Sequence, residues 1–320
     1  MFKRILTATL AAATVFSLAS CGDGGVFTRL TPSEDESNLV SGVIYYSEDS
    51  ASGVVSNSQT ELSNDSSTDV SYDAGPVIPE SVTASDVDTF FDGSIFVGNS
   101  IMLKYERFVN KYRTSSVKSF LGDSKFFCAG SFGVYHNNHT PADSAGAVNP
   151  LYQGKKYSVQ DMVGVASPKR VLLNLAGLND MGIYSSAETC ASQTADEMIK
   201  LIKDITTKYP DVEVVVLSTT YMIKSYNSMS RLNNENLSIM NNLVLDYCNS
   251  NGIDFVDIST LLTGDNGCLR DDYCSDPESG GCHLNDSGCL VWTGLLRHYA
   301  ADKLNGTYKN PQSMPFLSKN

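Results

Sequence analysis

Short apolar runs alternate with longer amphipathic stretches along residues 81–306. Five runs have the length and the β-branched or aromatic content of strands: 94–98, 125–129, 170–176, 212–219 and 253–258. The run Val212–Leu217 is apolar at every position except Glu213, as expected for a strand covered on both faces. Helical spacing of apolar residues marks three further stretches: 186–208, 229–250 and 286–304. The alternation predicts βαβ units with right-handed crossovers and a mostly parallel sheet.

This order of elements predicts an α/β fold, a three-layer αβα sandwich with a flavodoxin-like, doubly wound sheet of about five strands. Ligands of such open sheets bind outside the carboxyl ends of the strands. Ser100, Gly130 and Gly177-Leu178-Asn179 each follow a different predicted strand, and His283 lies between the fifth strand and the last helix. We therefore expect these residues to meet at one edge of the sheet.

The first 20 residues have the pattern of an export signal. Lys3 and Arg4 precede an apolar stretch, 5–18, that is too short to span a bilayer as a stable helix. The stretch leads into Leu-Ala-Ser-Cys, ending at Cys21, which is similar to the lipobox of bacterial lipoproteins. We favour a signal peptide over 1–20 with a lipid on Cys21, and the alternative is an ordinary secretory signal. Both place the protein outside the cytoplasm, and the first anchors it to the cell membrane.

Residues 21–80 are predicted to form a disordered, acidic, Ser-rich tether. Residues 22–92 carry 14 acidic side chains and one basic side chain, Arg29. Such a segment buries too little apolar surface to offset its ordering entropy, and its charges repel one another. We expect it to hold a folded domain, residues 81–308, away from the membrane, with a tail over 309–320.

The net charge of −13 mostly describes this tether. Residues 93–320 carry 20 basic and 22 acidic side chains, so the folded part is nearly neutral. Because a nucleic-acid-binding domain needs a basic surface, no nucleic-acid partner is expected. The predicted membrane contact is the N-terminal lipid alone.

Three segments carry candidate chemistry. Ser100 lies in a strand-to-helix turn, where a hydroxyl is exposed and a backbone N–H is free to face a reacting oxygen. Asn179 supplies a side-chain amide and His283 an imidazole. A nucleophile, an amide donor and a base are the parts that an acyl-transfer site needs.

Together these segments resemble the sequence blocks of the SGNH (GDSL-like) hydrolases, from about residue 81 to the end of the last helix. The resemblance is carried by Gly98-Asn99-Ser100, by a glycine after the second strand, by Gly177-Leu178-Asn179-Asp180 and by the segment that begins at His283. It implies a Ser100 nucleophile and a His283 base. It also implies an oxyanion hole formed by the backbone N–H groups of Ser100 and Gly130 and the side chain of Asn179. Gly133 is the weaker candidate for the glycine. The chemistry requires neither a metal nor an organic cofactor.

Two positions depart from the family pattern. The aspartate that precedes the serine is replaced by Asn99, and the position three before the histidine is Gly280 instead of aspartate. That aspartate normally orients the imidazole and stabilises its charged form. Asp276 or Glu278 reaching in from the loop, the carbonyl of Gly280, or no group at all could stand in its place. We take Asp276 as the candidate acid, with the Gly280 carbonyl as an equal alternative.

Seven cysteines follow Cys21. Three fall at apolar positions and are interpreted as buried thiols: Cys128, Cys190 and Cys248. The other four surround the histidine, and two disulfides, Cys268–Cys274 and Cys282–Cys289, are slightly favoured over a zinc site or unrelated thiols. His136 and His139 have no carboxylate or thiol at ligand spacing, so no metal site is predicted, and His298 is interpreted as structural.

The sequence thus predicts a surface-anchored serine esterase that hydrolyses acyl esters, above all acetyl esters on polysaccharide or cell-wall glycan. The acyl substrate class follows from the resemblance and the predicted location, not from any pocket residue. Two alternatives remain open: an O-acyltransferase that uses the same residues, and a carbohydrate-binding surface protein without activity, which Asn99 and Gly280 would favour.

Overall fold

The computed structural model describes residues 84–115, 119–228 and 230–315. The proposed signal peptide, Cys21 and the tether lie outside the described residues. In the described ranges, no helix combines the length and apolar character needed to cross a membrane.

The described chain contains a five-stranded parallel sheet and a short antiparallel hairpin. The strands are β1 (Ser94–Gly98), β2 (Lys125–Cys128), β3 (Leu151–Tyr152), β4 (Lys155–Lys156), β5 (Arg170–Asn174), β6 (Glu213–Leu217) and β7 (Asp254–Val256). The sheet has the order β2-β1-β5-β6-β7, and β3 pairs with β4 in the hairpin. All five strands of the parallel sheet coincide with predicted runs, which confirms the α/β fold, and the hairpin was not predicted.

Helices connect and cover these strands. In chain order they are α1 (Ala84–Thr89), α2 (Ser100–Ser115), α3 (Val134–His139), α4 (Val159–Ala166), α5 (Leu178–Met181), α6 (Cys190–Lys208), α7 (Asn234–Asn251) and α8 (Asp286–Asn305). The three predicted helices correspond to α6, α7 and α8. Helices α6 and α7 begin about four residues later than the apolar spacing indicates. The start of α7 is fixed by Asn233, whose side chain accepts a hydrogen bond from the Asn236 N–H.

The sheet lies between two helical layers, because successive strand residues point to opposite faces. Val97 and Leu173 belong to the core that includes residues of α4, α6 and α7. Phe96 and Leu172 belong to the core that includes residues of α1, α2 and α8. The predicted three-layer sandwich is therefore present.

Helices α2 and α8 are joined by a buried aromatic pair. The rings of Tyr105 and Trp292 stack with centroids 4.5 Å apart, and the Tyr105 hydroxyl is 2.9 Å from that of Thr293. Burial raises the pKa of Tyr105 far above its usual value, so the phenol stays neutral. Ser100 opens α2, and His283 lies three residues before α8. Ser100 and His283 therefore lie at or near the N-terminal ends of two helices that pack against each other.

The C-terminal boundary of the domain differs from the prediction. Residues 309–315, expected to belong to a tail, pack against the sheet and α7. Asn310 hydrogen-bonds the Phe255 N–H at 2.7 Å, and Met314 is buried in the core. The folded domain thus continues to at least residue 315.

Candidate active site

Ser100 stands in a tight turn between β1 and α2. A Cβ on Gly98 would lie 2.4 Å from the Met102 Cβ and 2.8 Å from the Asn174 carbonyl oxygen, so this position requires glycine. The buried Asn99 side chain accepts a hydrogen bond from the Ile101 N–H at 2.9 Å and caps the helix. An amide performs this capping without a carboxylate, so the first departure from the family pattern leaves the turn intact.

His283 lies between the serine and a carboxylate. Its Nε2 is 2.8 Å from the Ser100 Oγ, and its Nδ1 is 2.6 Å from the Asp276 Oδ2. An imidazole held in this way can accept the serine proton on one nitrogen while the carboxylate fixes its orientation through the other. The structure therefore brings together the three residues expected to act as nucleophile, base and acid.

The carboxylate of Asp276 is held on both oxygens. Oδ1 accepts hydrogen bonds from the backbone N–H groups of His283 at 3.0 Å and Cys282 at 3.2 Å. Burial raises the pKa of Asp276, but the hydrogen bonds and the nearby imidazole outweigh it, and the net pKa lies below the usual value. The group next to the ring therefore stays ionised.

A short antiparallel pairing shapes the loop that carries this carboxylate. Cys274 and Leu284 form an isolated bridge, and the Ser275 N–H donates to the His283 carbonyl at 2.8 Å. The two chain segments meet at Asp276 and His283. Glu278, the other acidic candidate, is exposed.

Asn179 and Asp180 lie in α5, which follows β5, the strand next to β1. The Asn179 side-chain amide donates to the Phe132 carbonyl at 3.0 Å, and one amide hydrogen remains for a substrate. Buried Asp180 accepts from the Gly177 N–H at 3.0 Å and the Tyr135 N–H at 2.8 Å. Burial raises the pKa of Asp180 to about 7 although these hydrogen bonds oppose the shift. This network ties the loop after β2 to the segment after β5.

The two candidate glycines of the loop after β2 differ in their surroundings. Gly130 is exposed, and a Cβ there would meet nothing within 4 Å. A Cβ on Gly133 would lie 2.4 Å from the Asp180 Oδ1. Gly133 also shares a peptide unit with the Phe132 carbonyl that Asn179 contacts. Gly133 is therefore the glycine that packs against Asp180, whereas Gly130 faces open space.

The favoured disulfides are absent. All seven described cysteines are free thiols. Cys274 lies 3.3 Å from the Asp276 Oδ1, and Cys282 lies 3.8 Å from the His283 Nδ1. Cys268 contacts the Asn227 side chain, and Cys289 packs in the core beneath α8. The two expected pairings are wrong, because Cys268 contacts Asn227 while Cys274 lies beside Asp276, and Cys289 packs in the core while Cys282 lies beside His283.

One group among the described residues has ligand atoms close enough for a metal ion: Asp276, Cys282 and His283, within 4.8 Å of one another. An ion bound there would have to displace the Asp276–His283 hydrogen bond. Of the other histidines, His139 pairs with Glu197 at 2.6 Å and His298 lies 3.4 Å from Asp302, which agrees with a structural interpretation of His298.

The family comparison agrees with the geometry. Residues 143–289 match the model of the GDSL-like lipase/acylhydrolase family. This range includes Asn179, Asp276 and His283. No curated protein matches the sequence.

Several solved structures are similar to this chain at low identity. A GDSL-like lipase from Bacteroides thetaiotaomicron is 17% identical with a TM-score of 0.47, covering 66% of this chain and 88% of its own. An acetyl xylan esterase is 16% identical with a TM-score of 0.38, covering 67% and 98%. A carbohydrate esterase family 2 enzyme with a carbohydrate-binding domain, from Corynascus thermopiles (Myceliophthora fergusii), is 16% identical with a TM-score of 0.43, covering 66% of each chain.

A serine, an imidazole and a carboxylate in hydrogen-bonding sequence, with a side-chain amide after the neighbouring strand, are the groups that acyl transfer to water requires. The family match covers three of the residues that form this arrangement. Residues 143–289 therefore form a GDSL-like lipase/acylhydrolase domain, and the chain that carries it is a carboxylic ester hydrolase.

Proposed function

We propose that Ser100, His283 and Asp276 form the catalytic triad of this esterase, and that its substrates are short acyl esters, above all acetyl esters, on carbohydrate or cell-wall glycan. The observation that carries the proposal is the hydrogen-bonded chain from the Ser100 Oγ through both ring nitrogens of His283 to Asp276, with distances of 2.8 Å and 2.6 Å. The carbohydrate part rests on the export signal and the acidic tether, which would give a folded domain access to polymers at the cell surface.

The acylation half-reaction follows from these contacts. The Ser100 Oγ attacks the ester carbonyl carbon while its proton moves to the His283 Nε2. The backbone N–H of Ser100, which has no intrahelical acceptor at the start of α2, and the Asn179 amide stabilise the oxyanion. The N–H of Gly133 or Gly130 is the third donor. The bond between the carbonyl carbon and the alcohol oxygen then breaks. The departing alcohol takes the proton from Nε2, and an acyl-serine remains.

Deacylation repeats the same steps with water as the nucleophile. Water gives a proton to the His283 Nε2 as its oxygen bonds to the acyl carbon. The bond to Oγ then breaks, Ser100 regains the proton, and the carboxylic acid leaves. Asp276 stays ionised throughout and stabilises the imidazolium that forms in each half.

Hydrolysis of 4-nitrophenyl acetate by the full chain tests the proposal. We expect Ser100→Ala to lower kcat/KM by about 10⁴-fold or more. The matched control is Ser250→Ala, since Ser250 is an exposed serine of α7 whose hydroxyl bonds only its own helix at 2.8 Å. Turnover unchanged in Ser100→Ala would reject the triad.

A fluorophosphonate probe gives an independent readout, because only an activated serine reacts with it. We expect labelling of the unmodified chain and of Ser250→Ala, and none of Ser100→Ala. Labelling that persists in Ser100→Ala would assign the nucleophile elsewhere.

The anchoring is tested separately from the chemistry. A lipid on Cys21 should retain the protein in the membrane fraction, and Cys21→Ser should release it or stop its processing. A soluble, processed protein that carries no lipid would leave only the secretory interpretation.

A further inference from the structure

Helix α2 carries three cations on the face that bears Ser100. Lys104, Arg107 and Lys111 follow the serine at intervals of four, three and four residues. At about 100° per residue these four positions lie within about 60° of one another. Along the axis, Lys104 lies about 6 Å and Arg107 about 10 Å from the serine. Helical side chains lean toward the N-terminus, so the first two cations project back toward the candidate nucleophile.

These cations line one wall of a cleft of about 560 Å³. The facing wall includes Ser275 and Leu284. Ser275 directly precedes Asp276, and Leu284 directly follows His283. The cleft therefore lies along α2 and is bordered by the immediate chain neighbours of Asp276 and His283.

The charges of the cleft do not cancel. Its one carboxylate, Asp286, pairs with Lys111 at 2.9 Å. Lys104 and Arg107 are exposed, and neither forms an ion pair with any of the described residues. The first turn of α8 also borders the cleft and adds the positive end of a 20-residue helix. The side chains that line the cleft therefore carry a net charge of +2 in a domain that is nearly neutral.

We propose that Lys104 and Arg107 form a subsite for an anionic group on the substrate, so that the preferred ester belongs to an acylated molecule with a carboxylate or phosphate about 6–10 Å from the scissile carbonyl. Acidic sugars and phosphate-linked glycans share this chemistry. The inference rests on the proposed function, because it takes Ser100 as the point of attack. Two exposed ion pairs together are expected to contribute about tenfold in kcat/KM.

The test compares esters that differ in charge and share one acyl group. 4-Acetoxybenzoate carries a carboxylate, 4-acetoxyphenyl phosphate carries a phosphate, and methyl 4-acetoxybenzoate is the neutral counterpart. The readout is the ratio of kcat/KM for each anionic ester to that for the neutral ester. We expect the Lys104→Gln/Arg107→Gln double variant to lower this ratio about tenfold, and added salt to lower it in the unmodified chain. The two anions separate a carboxylate preference from a phosphate preference.

Lys200→Gln is the matched control, because Lys200 is an exposed lysine of α6 on the other helical layer. It should leave the ratio unchanged. If the chain hydrolyses the neutral ester and the anionic-to-neutral ratio of kcat/KM is the same in the unmodified chain and the double variant, the subsite proposal is wrong. The esterase proposal would be unaffected by that result.

Binding to the Ser100→Ala variant makes the subsite testable without turnover. Calorimetric titration with 4-acetoxybenzoate should give an affinity that falls about tenfold when Lys104→Gln and Arg107→Gln are added. Equal affinities, or no binding, would overturn the subsite whether or not the chain hydrolyses any of the three esters.

Discussion

Gly280 and Asp276 share one small space beside His283. A Cβ on Gly280 would lie 2.6 Å from the Asp276 Oδ2, the oxygen that accepts the hydrogen bond of the imidazole. Gly280 is also the position three before the histidine, where related enzymes are expected to carry their aspartate. The carboxylate thus enters from four residues earlier, and the missing side chain at 280 leaves the room for it.

Substitution of Gly280 by alanine should misplace this carboxylate. Because the added methyl group would contact Oδ2 below the van der Waals distance, we expect Asp276 to shift and kcat to fall about 10- to 100-fold. Gly294→Ala is the control, since a Cβ at that position of α8 meets nothing within 4 Å. Steady-state kinetics with 4-nitrophenyl acetate and a circular dichroism spectrum of each variant measure the effect. Full activity in a folded Gly280→Ala protein would contradict the packing argument.

Removal of the Asp276 charge should be more costly. Asp276→Asn retains the shape of the side chain but favours the wrong tautomer of His283, and we expect kcat to fall about 10⁴-fold. Glu278→Gln changes an exposed carboxylate in the same loop and should leave kcat within about twofold of the unmodified chain. If the two variants lose activity equally, or if only Glu278→Gln loses it, the acid has been misassigned.

The fold could be predicted from the sequence because its strands are strongly patterned. β5 and β6 are short apolar runs bounded by polar residues, and every strand of the parallel sheet coincides with a predicted run. Strands β3 and β4 have only two residues each, too few to show a pattern of apolar residues, and they were not predicted. The docking of 309–315 was also missed, because it depends on hydrogen bonds such as that from the Phe255 N–H to Asn310 and on one buried apolar side chain, Met314, which form no periodic pattern.

The loop around His283 was harder to predict. Sequence alone left Asp276 and the Gly280 carbonyl as equal partners for the ring, and the choice depends on the pairing of Cys274 with Leu284. The favoured disulfides were wrong because sequence spacing does not give the direction of a side chain. Lys104 and Arg107 could be read from the sequence. Their position on the same helical face as Ser100, and along a cleft, became apparent only from the structure.

The thiols provide a further prediction. Burial, together with the nearby Asp276 charge, raises the pKa of Cys282 to about 12, and burial raises that of Cys274 to about 11. Because the thiolate is the reactive form, both should alkylate slowly at pH 8 in the native protein and rapidly in denaturant. Peptide mapping after iodoacetamide treatment, with and without prior reduction, should give the same modification at all seven described positions. Modification that appears only after reduction would reveal a disulfide.

The loop after β2 should tolerate substitution unequally at its two glycines. Gly133→Ala would press a methyl group against the Asp180 carboxylate, and we expect a loss of about 1–3 kcal/mol in the free energy of unfolding. Gly130→Ala places its methyl group in open space and should change stability by less than about 0.5 kcal/mol. Urea denaturation of the two variants measures both values. Equal destabilisation would mean that Gly133 does not pack against Asp180.

The low pKa of Asp276 predicts how stability depends on pH. Burial alone would raise this pKa, but the hydrogen bonds from His283 lower it below the value near 3.9 expected in the unfolded chain. Because the folded state then binds the proton less tightly than the unfolded state, the charge stabilises the fold above about pH 4, and this contribution disappears as the pH falls through the folded pKa.

The free energy of unfolding of the unmodified chain should therefore exceed that of Asp276→Asn by more at pH 7 than at pH 3. Taking this difference cancels the opposite effect of Asp180, whose raised pKa makes the fold less stable as the pH rises toward about 7. Urea denaturation at both pH values measures the change, with Glu278→Gln as the control. A difference that stays constant between pH 3 and pH 7 would mean that the Asp276 charge does not stabilise the fold.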